Sequence, residues 1–414
     1  SVMISLAGLF SSYQYFSLIT ILSNFERFIP ATLFYWGLLW WFGIHFYEIE
    51  HHVVTNYEIN ITLLFITLSV ISMALIAQML NWKFPERNTV AFLPILICFV
   101  LIGFLIDTTR HPFANYGFLA WPLALMVQYL LLYRNHDKWN RYLLKTYHAA
   151  TLWLVIFIIT WLMVDVIERY LAALANWSYL VWALAPVLCL LILLQYKDKQ
   201  HWPFKYYASS YFANGLLPVF TYLCIWFVAV CFITGDPAPL LYIPVLNPQD
   251  LAQLSVLIFI IYWTYLWINN HLIKPDMVDE LVIYSIIAIL SFVWLNSVVA
   301  HAIHFYAGVH STQMNLQQQG ESVHFDMHSM LRSDLFQASI SIVWTLTAFA
   351  IMLFATKKHF RQLWFIGTGL LGLVVLKLFL VDVYDSGTLT RIILFIIVEI
   401  LMLIINYFLP ILPK

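Results

Sequence analysis

Two histidines one helical turn apart, His301 and His304, close a long apolar run, and the polar stretch beyond them carries His310, His324, Asp326, His328 and Arg332. Residues two apart in an extended segment project to the same side, so His324, Asp326 and His328 have the spacing to converge on one ion. Imidazole and carboxylate ligands suit zinc or another divalent transition metal. The same residues could instead run acid/base chemistry, with His301, His304 and Asp326 exchanging protons while Arg332 holds an anionic group. A third reading leaves them as ordinary polar residues of a connecting segment.

Charges within apolar runs are the second source of chemistry. Lys377 lies five residues before Asp382, about 7.5 Å along a helix that rises about 1.5 Å per residue. Glu399 lies eight residues past Arg391, about 12 Å along the next helix by the same rise. A lone charge in lipid costs roughly 2.5 to 3.5 kcal/mol or more, so Lys377 and Glu399 are expected to pair, either locking a hairpin or lining an ion or proton pathway. Asp107 with Arg110, Asp165 with Arg169, and Asp382 and Asp385 with Arg391 fall at turns. A carboxylate at a helix C-terminus meets the negative end of the helix dipole and calls for a cation nearby. These sets fasten hairpin tips as ion pairs, or their arginines bind a substrate anion.

The elements that must position these residues follow from composition. Of 414 residues 63% are hydrophobic and 10% charged, with a net charge of -1, against about half apolar and a quarter charged in soluble domains. That excludes a soluble globule, a disordered chain and a basic nucleic-acid binder, and predicts an all-α polytopic transmembrane bundle. A crossing needs about 20 apolar residues. Candidate spans run Val2–Leu22, Ala31–Tyr47, Ile59–Leu80, Val90–Ile106, Asn115–Tyr133, Thr146–Val164, Trp177–Gln195, Tyr211–Thr234, Leu251–Trp267, Leu281–His301, Leu335–Ala355, Leu363–Val381 and Arg391–Leu409. The first is broken by Ser11, Ser12 and Gln14 and reads as a partial or re-entrant span, which leaves about 12 crossings.

Alternate loops collect 15 of the 20 basic residues, among them Arg134, Lys138, Arg141, Lys145, Lys197, Lys199 and Lys205. Basic residues mark the cytoplasmic side of short loops, which also places the C-terminus in the cytoplasm. The opposite, outer side then receives nine of the fourteen histidines, including His45, His51, His52 and His111, and is where chemistry or recognition is expected. On that side the segments 234–250 and 304–334 form outer loops. The first contains Pro237, Pro239, Pro244 and Pro248 among apolar residues and is expected to dip into the leaflet or to cap a cavity as a lid.

Asn115 to Trp121 (NYGFLAW) and Asn176 to Trp182 (NWSYLVW) open two spans 61 residues apart. This likeness suggests helical-hairpin repeats over 90–145 and 146–205, in an array within one transmembrane domain. Cys98, Cys189, Cys224 and Cys231 all lie in apolar runs and read as small core residues rather than disulfide or metal ligands. Gly367, Gly369 and Gly372 match a dinucleotide fingerprint in letters only, since they fall mid-span with no strand before them. Neither a Walker motif, an HExxH pair nor a nucleophile elbow is present, so ATP-driven transport by this chain alone and soluble-type hydrolysis lack support. The start at Ser1-Val2-Met3 suggests that the 414 residues are part of a longer chain.

Ser341 to Trp344, Lys377 to Asp382 (KLFLVD), Arg391 with Phe395, Asn247-Pro248 and the closing Leu409 to Pro413 resemble a family of large bacterial predicted membrane proteins of unknown function. The likeness is specific over the second half of the chain and one of hydropathy over the first. It implies a bacterial inner membrane and a longer parent chain, while Glu399 departs from the small residue the pattern implies there. The residues together favour a periplasm-facing polar pocket under the proline-rich loop that binds or modifies an envelope lipid or lipid-linked glycan. His301, His304, Asp326 and Arg332 would act in catalysis, with His324, Asp326 and His328 around a divalent metal. The alternatives are a proton-coupled transporter or channel using Lys377, Glu399 and Asp382, and a non-catalytic scaffold for a membrane-protein partner. Membrane lipids are expected to surround the chain, and nucleic acid is not an expected partner.

Overall fold

A computed structural model describes residues 2–23, 26–106, 110–199, 201–269, 272, 279–307 and 327–377, together with 392, 395–396, 399–400 and 403. The chain forms helices α1 Val2–Ser17, α2 Ile29–His52, α3 Thr55–Met79, α4 Lys83–Asn88, α5 Phe92–Leu105, α6 Gly117–Arg134, α7 Arg141–Tyr170, α8 Ser178–Leu194 and α9 Phe204–Phe212. There follow α10 Leu217–Val230, α11 Pro248–Ile268, α12 Glu280–Ala307, α13 Met327–Leu331, α14 Asp334–Lys358 and α15 Arg361–Lys377. No strand occurs among the described residues. Eight helical segments there are long and apolar enough to cross a membrane, with α4–α5 and α9–α10 each counting as one. The described chain divides into two compact units, Ser1–Thr221 with Trp263–Met277, and Tyr222–Tyr262 with Val278–Lys414.

The opening helix of the first unit is short and packs closely on the next. Helix α1 has 16 residues, about 24 Å of rise against about 30 Å of hydrocarbon. Its Ser5, Gly8 and Ser12 form one buried stripe. The Ser5 hydroxyl donates to Gly37 O at 2.8 Å and that of Ser12 to Pro30 O at 2.6 Å. A Cβ on Gly8 would lie 3.2 Å from the Cα of Gly37, so the glycine pair sets how closely α1 and α2 approach. Small residues and hydroxyl-to-carbonyl bonds are how helices associate where lipid offers no hydrophobic drive.

Helices α3, α5, α6 and α7 pack Leu63, Ile66, Val70, Leu93, Leu96, Ala120, Trp121, Ala124 and Ile158 into one core. Asn60 Nδ2 donates to Ala114 O at 2.8 Å and Asn115 Nδ2 to Asn56 O at 2.9 Å, tying the start of α3 to the turn before α6. Asn115 and Tyr116 have φ of 48° and 66°, whereas the corresponding Trp177 has φ of -101° after a 3-10 turn. The two like sequences therefore enter their helices by different backbone routes.

The segment expected as a continuous span from Tyr211 is broken between α9 and α10. Ala213 has φ -127° and ψ -98°. Helix breaks leave carbonyls that lipid cannot satisfy; here Trp153 Nε1 donates to Gly215 O at 2.6 Å and Trp263 Nε1 to Phe212 O at 3.3 Å.

In the second unit α15 packs on α14 through Ala348, Met352, Ala355, Trp364 and Leu371, with Gly367 against Met352. The five-residue helix α13 buries Met330 with Ala300, Ile303, Phe336 and Ile340. That cluster anchors α13 beside the C-terminal end of α12.

Candidate functional site

The second unit holds a buried polar centre where the start of α11, the end of α12 and the 231–247 segment meet. Its foundation is a helix cap. Asn247 Oδ1 accepts from Asp250 N at 3.0 Å, while Asp250 Oδ2 accepts from Asn247 Nδ2 and from Val245 N. With Pro248 as the first helical residue, Asn247 is the N-cap, and the carboxylate of Asp250 at the third helical position bonds back to the cap's side chain. The cap fixes Asp250, and one turn further places Gln253 on the same face; both are fully buried. Gln253 Nε2 donates to Phe227 O and to Cys231 Sγ, each at 3.1 Å, and Gln249 Nε2 donates to Val230 O at 3.0 Å.

From the other side α12 contributes Ser297, His301 and His304, spaced four and three residues apart on one face and all buried. Nε2 of His301 is 2.8 Å from Ile233 O, and its Nδ1 is 3.2 Å from Ser297 Oγ. A carbonyl can only accept, so Nε2 carries the proton and Nδ1 takes the serine hydroxyl. Both ring nitrogens are thus engaged, and the ring fastens the loop to α12. Tyr242 stacks on Phe305 at 4.4 Å, and Tyr306 donates to Tyr242 O at 2.8 Å. Gly235, at φ +66° and packed against the Gln249 side chain, makes the turn that leads into this lid.

Three oxygen atoms in this centre are buried without a hydrogen-bond partner among the described residues: Asp250 Oδ1, Gln253 Oε1 and the Tyr242 hydroxyl. Burial, with the Asp250 charge and Tyr306 adding to it, holds the Tyr242 phenol well above its ordinary value and keeps it neutral. The lid itself turns apolar side chains outward, with Leu240, Ile243 and Leu246 exposed and Leu241 87% exposed.

The residues singled out by sequence divide accordingly. His301 and His304 are 2% and 3% exposed, whereas His328 and Arg332 are exposed on and just after α13. His310, His324 and Asp326 lie outside the described residues, and among the described residues no group of three or more His, Cys, Asp and Glu could hold a metal ion. Lys377 Nζ donates to Gln337 O at 2.8 Å and to Ser341 Oγ at 2.7 Å, both on α14; Glu399 is exposed. Asp107, Asp382, Asp385 and Arg391 lie outside the described residues, while Arg110 is exposed. Arg169 contacts Asp165 one turn earlier, and His111 Nε2 lies 3.8 Å from the same carboxylate. Burial lowers the His111 pKa below its ordinary value, against the opposing pull of Asp165. All four cysteines are free.

An apolar crevice of about 670 Å³ runs among α12, α14 and α15, lined by Ala288, Phe292, Leu295, Ile351 and Leu370. At 100° per residue, Ala288, Phe292 and Leu295 face away from Ser297, His301 and His304. The crevice and the polar centre therefore occupy opposite faces of α12.

Sequence reasoning passed over Asp250, Gln253 and Tyr242, and also a polar cluster in the first unit. There His148, fully buried on α7, lies 2.8 Å from the Tyr211 hydroxyl and stacks at 4.0 Å on Tyr207, whose hydroxyl lies 2.7 Å from His136 Nδ1. The signal for both was a polar residue inside an apolar run, which hydropathy averages away.

A family model described as "Predicted membrane protein (DUF2339)" matches residues 2–412. The match extends beyond the second half of the chain, where the resemblance in sequence was most specific. No curated protein and no solved structure matches the chain. With helices of membrane-spanning length along it and a match over nearly its whole length, the chain belongs to this family of predicted membrane proteins of unknown function.

Proposed function

We propose that the chain is a multi-pass protein of a bacterial inner membrane whose second unit takes the polar end of an envelope lipid or lipid-linked glycan against the centre at Asp250, Gln253, His301 and His304. In this reading about 12 spans cross the membrane, the C-terminus is cytoplasmic and the 231–247 lid faces the periplasm. One observation carries it: a lid that exposes Leu240, Leu241, Ile243 and Leu246 lies directly over a buried polar centre at the ends of two membrane-spanning helices. His301 is six residues from the end of α12, about 9 Å below it, near the depth at which lipid head groups meet hydrocarbon. Apolar side chains exposed at that depth insert into the leaflet, and a lid anchored in lipid brings the head group to the polar groups beneath it. His301 is a positioning residue here, His304 faces the centre from the next turn, and Arg332, exposed near the same end of α12, supplies a cation for an anionic head.

The test is lipid retention. Leu240, Leu241 and Ile243 changed together to serine should leave the fold intact, because their side chains lie outside the core, and should strip co-purified lipid seen by native mass spectrometry. Equal lipid retention by the variant and the wild type would overturn the reading. Transport by proton coupling is the second reading, favoured by Lys377, whose ammonium is held inside the unit by Gln337 and Ser341. Lys377→Met would then abolish flux in proteoliposomes while the protein still assembles.

A further inference from the structure

We infer that the polar centre of the second unit is a binding site for a small monovalent cation, held by Asp250, Gln253 and Tyr242. The centre holds an unmatched charge and unmatched lone pairs. Asp250 is 0% exposed, and among the described residues no Lys, Arg or His nitrogen lies within 4.0 Å of its carboxylate. Its Oδ2 is satisfied twice, by Val245 N and Asn247 Nδ2, while Oδ1 has no donor. Gln253, also 0% exposed and one turn along the same helix face, cannot turn its amide over to help. Reversal would set Oε1 against the Phe227 carbonyl that Nε2 now serves, so Oε1 stays on the far side without a donor. The Tyr242 hydroxyl, close enough to respond to the Asp250 charge, is the third unmatched oxygen.

A buried group left unsatisfied costs about 1–3 kcal/mol, and more if charged. Three such oxygens in one centre are therefore acceptors waiting for a common partner. Carboxylate, amide and phenol oxygens are hard ligands and select hard cations rather than the softer metals that imidazole and thiolate prefer. One carboxylate balances one positive charge; a divalent ion would leave an excess charge buried in an apolar unit, which is costly. A cation of sodium's charge fits that balance. This site stands independently of the lipid reading, and an Asp250-bound cation would also turn the centre from repelling an anionic head group to accepting one.

The experiment is thermal unfolding of the full chain in detergent at pH 8. Sodium, lithium, potassium and choline chlorides are compared at equal ionic strength. The site predicts a saturable rise in Tm with sodium or lithium over choline, since a ligand that binds only the folded state stabilises it by mass action. Asp250→Asn should abolish the rise, and Gln253→Leu should shift its midpoint to at least about tenfold higher cation concentration. Identical wild-type melting in all four salts overturns the proposal, and that readout requires no variant to fold. A wild type indifferent to sodium but stabilised by acidification also overturns it, because Asp250 would then be neutralised by a proton. Retention of lipid without any cation response, or the reverse, separates this site from the lipid reading.

Discussion

His301 shows how one side chain can hold a loop in place. Its ring spans from Ser297 on its own helix to the Ile233 carbonyl of the lid. His301→Leu removes the donor to the Ile233 carbonyl, so a loss of about 0.5–1.5 kcal/mol is expected, with faster proteolysis within 231–247; unchanged proteolysis would contradict the role. His111 gives a pH-dependent counterpart in the first unit. Its folded pKa lies below the unfolded value, so protonation favours the unfolded chain. The stability is complete above the ordinary histidine value of 6.5 and falls as the pH drops from there toward the lower folded value. Melting curves from pH 7.5 to 5 should show that decline, reduced in His111→Gln and starting from a lower folded pKa in Asp165→Asn, which removes the opposing pull. The histidines at 301 and 304 stood out in sequence because they end an apolar run. Asp250 and Gln253 did not, since Gln253 finds its partners Phe227 and Cys231 26 and 22 residues away and the unmatched Asp250 oxygen shows only in the folded chain.

At the scale of elements, apolar runs located the helices well, and their failures have physical causes. Helix α1 reads as a damaged span because Ser11, Ser12 and Gln14 interrupt its apolar run, yet Ser12, with Ser5 and Gly8, forms the contact face with α2. Gly37→Val would drive a side chain into Leu9, whose atoms lie from 2.8 Å from a Cβ at that position. A cost of about 1–3 kcal/mol is expected, with separation of α1 from α2 detectable by cysteine cross-linking. Gly43→Ala, where a Cβ meets nothing within 4 Å, should leave that cross-link unchanged. The break between α9 and α10 carries Asn214-Gly215 as a local turn signal within a mostly apolar run, and the indoles that satisfy its carbonyls come from α7 and α11. The cap that starts α11 left Asn247-Pro248 as its mark in the sequence, whereas the bonds that tie it to Asp250 show only in the folded chain. Asn247→Ala should cost about 0.5–2 kcal/mol by melting, and a silent substitution would show that the cap does not fix Asp250.

For the whole molecule, composition alone identified a helical membrane protein, and membership of a family of predicted membrane proteins agrees with it. The candidate site was less legible because it rests on a contrast between a loop that is apolar outside and polar groups that are buried beneath it. A sequence records both as one mixed segment from 231 to 253. The topology carries its own expectation: single cysteines introduced at Lys199 and at Leu241 should be labelled by an impermeant reagent from opposite faces of inverted and right-side-out vesicles. Labelling of both from one face would contradict the proposed crossings. The most direct test of the central claim is native mass spectrometry of the gently extracted wild type beside the variant with Leu240, Leu241 and Ile243 changed to serine. The account predicts a defined lipid or lipid-linked glycan on the wild type, depleted in the variant at equal melting temperature. A wild type that carries no lipid, or a variant that carries the same lipid to the same extent, would contradict it.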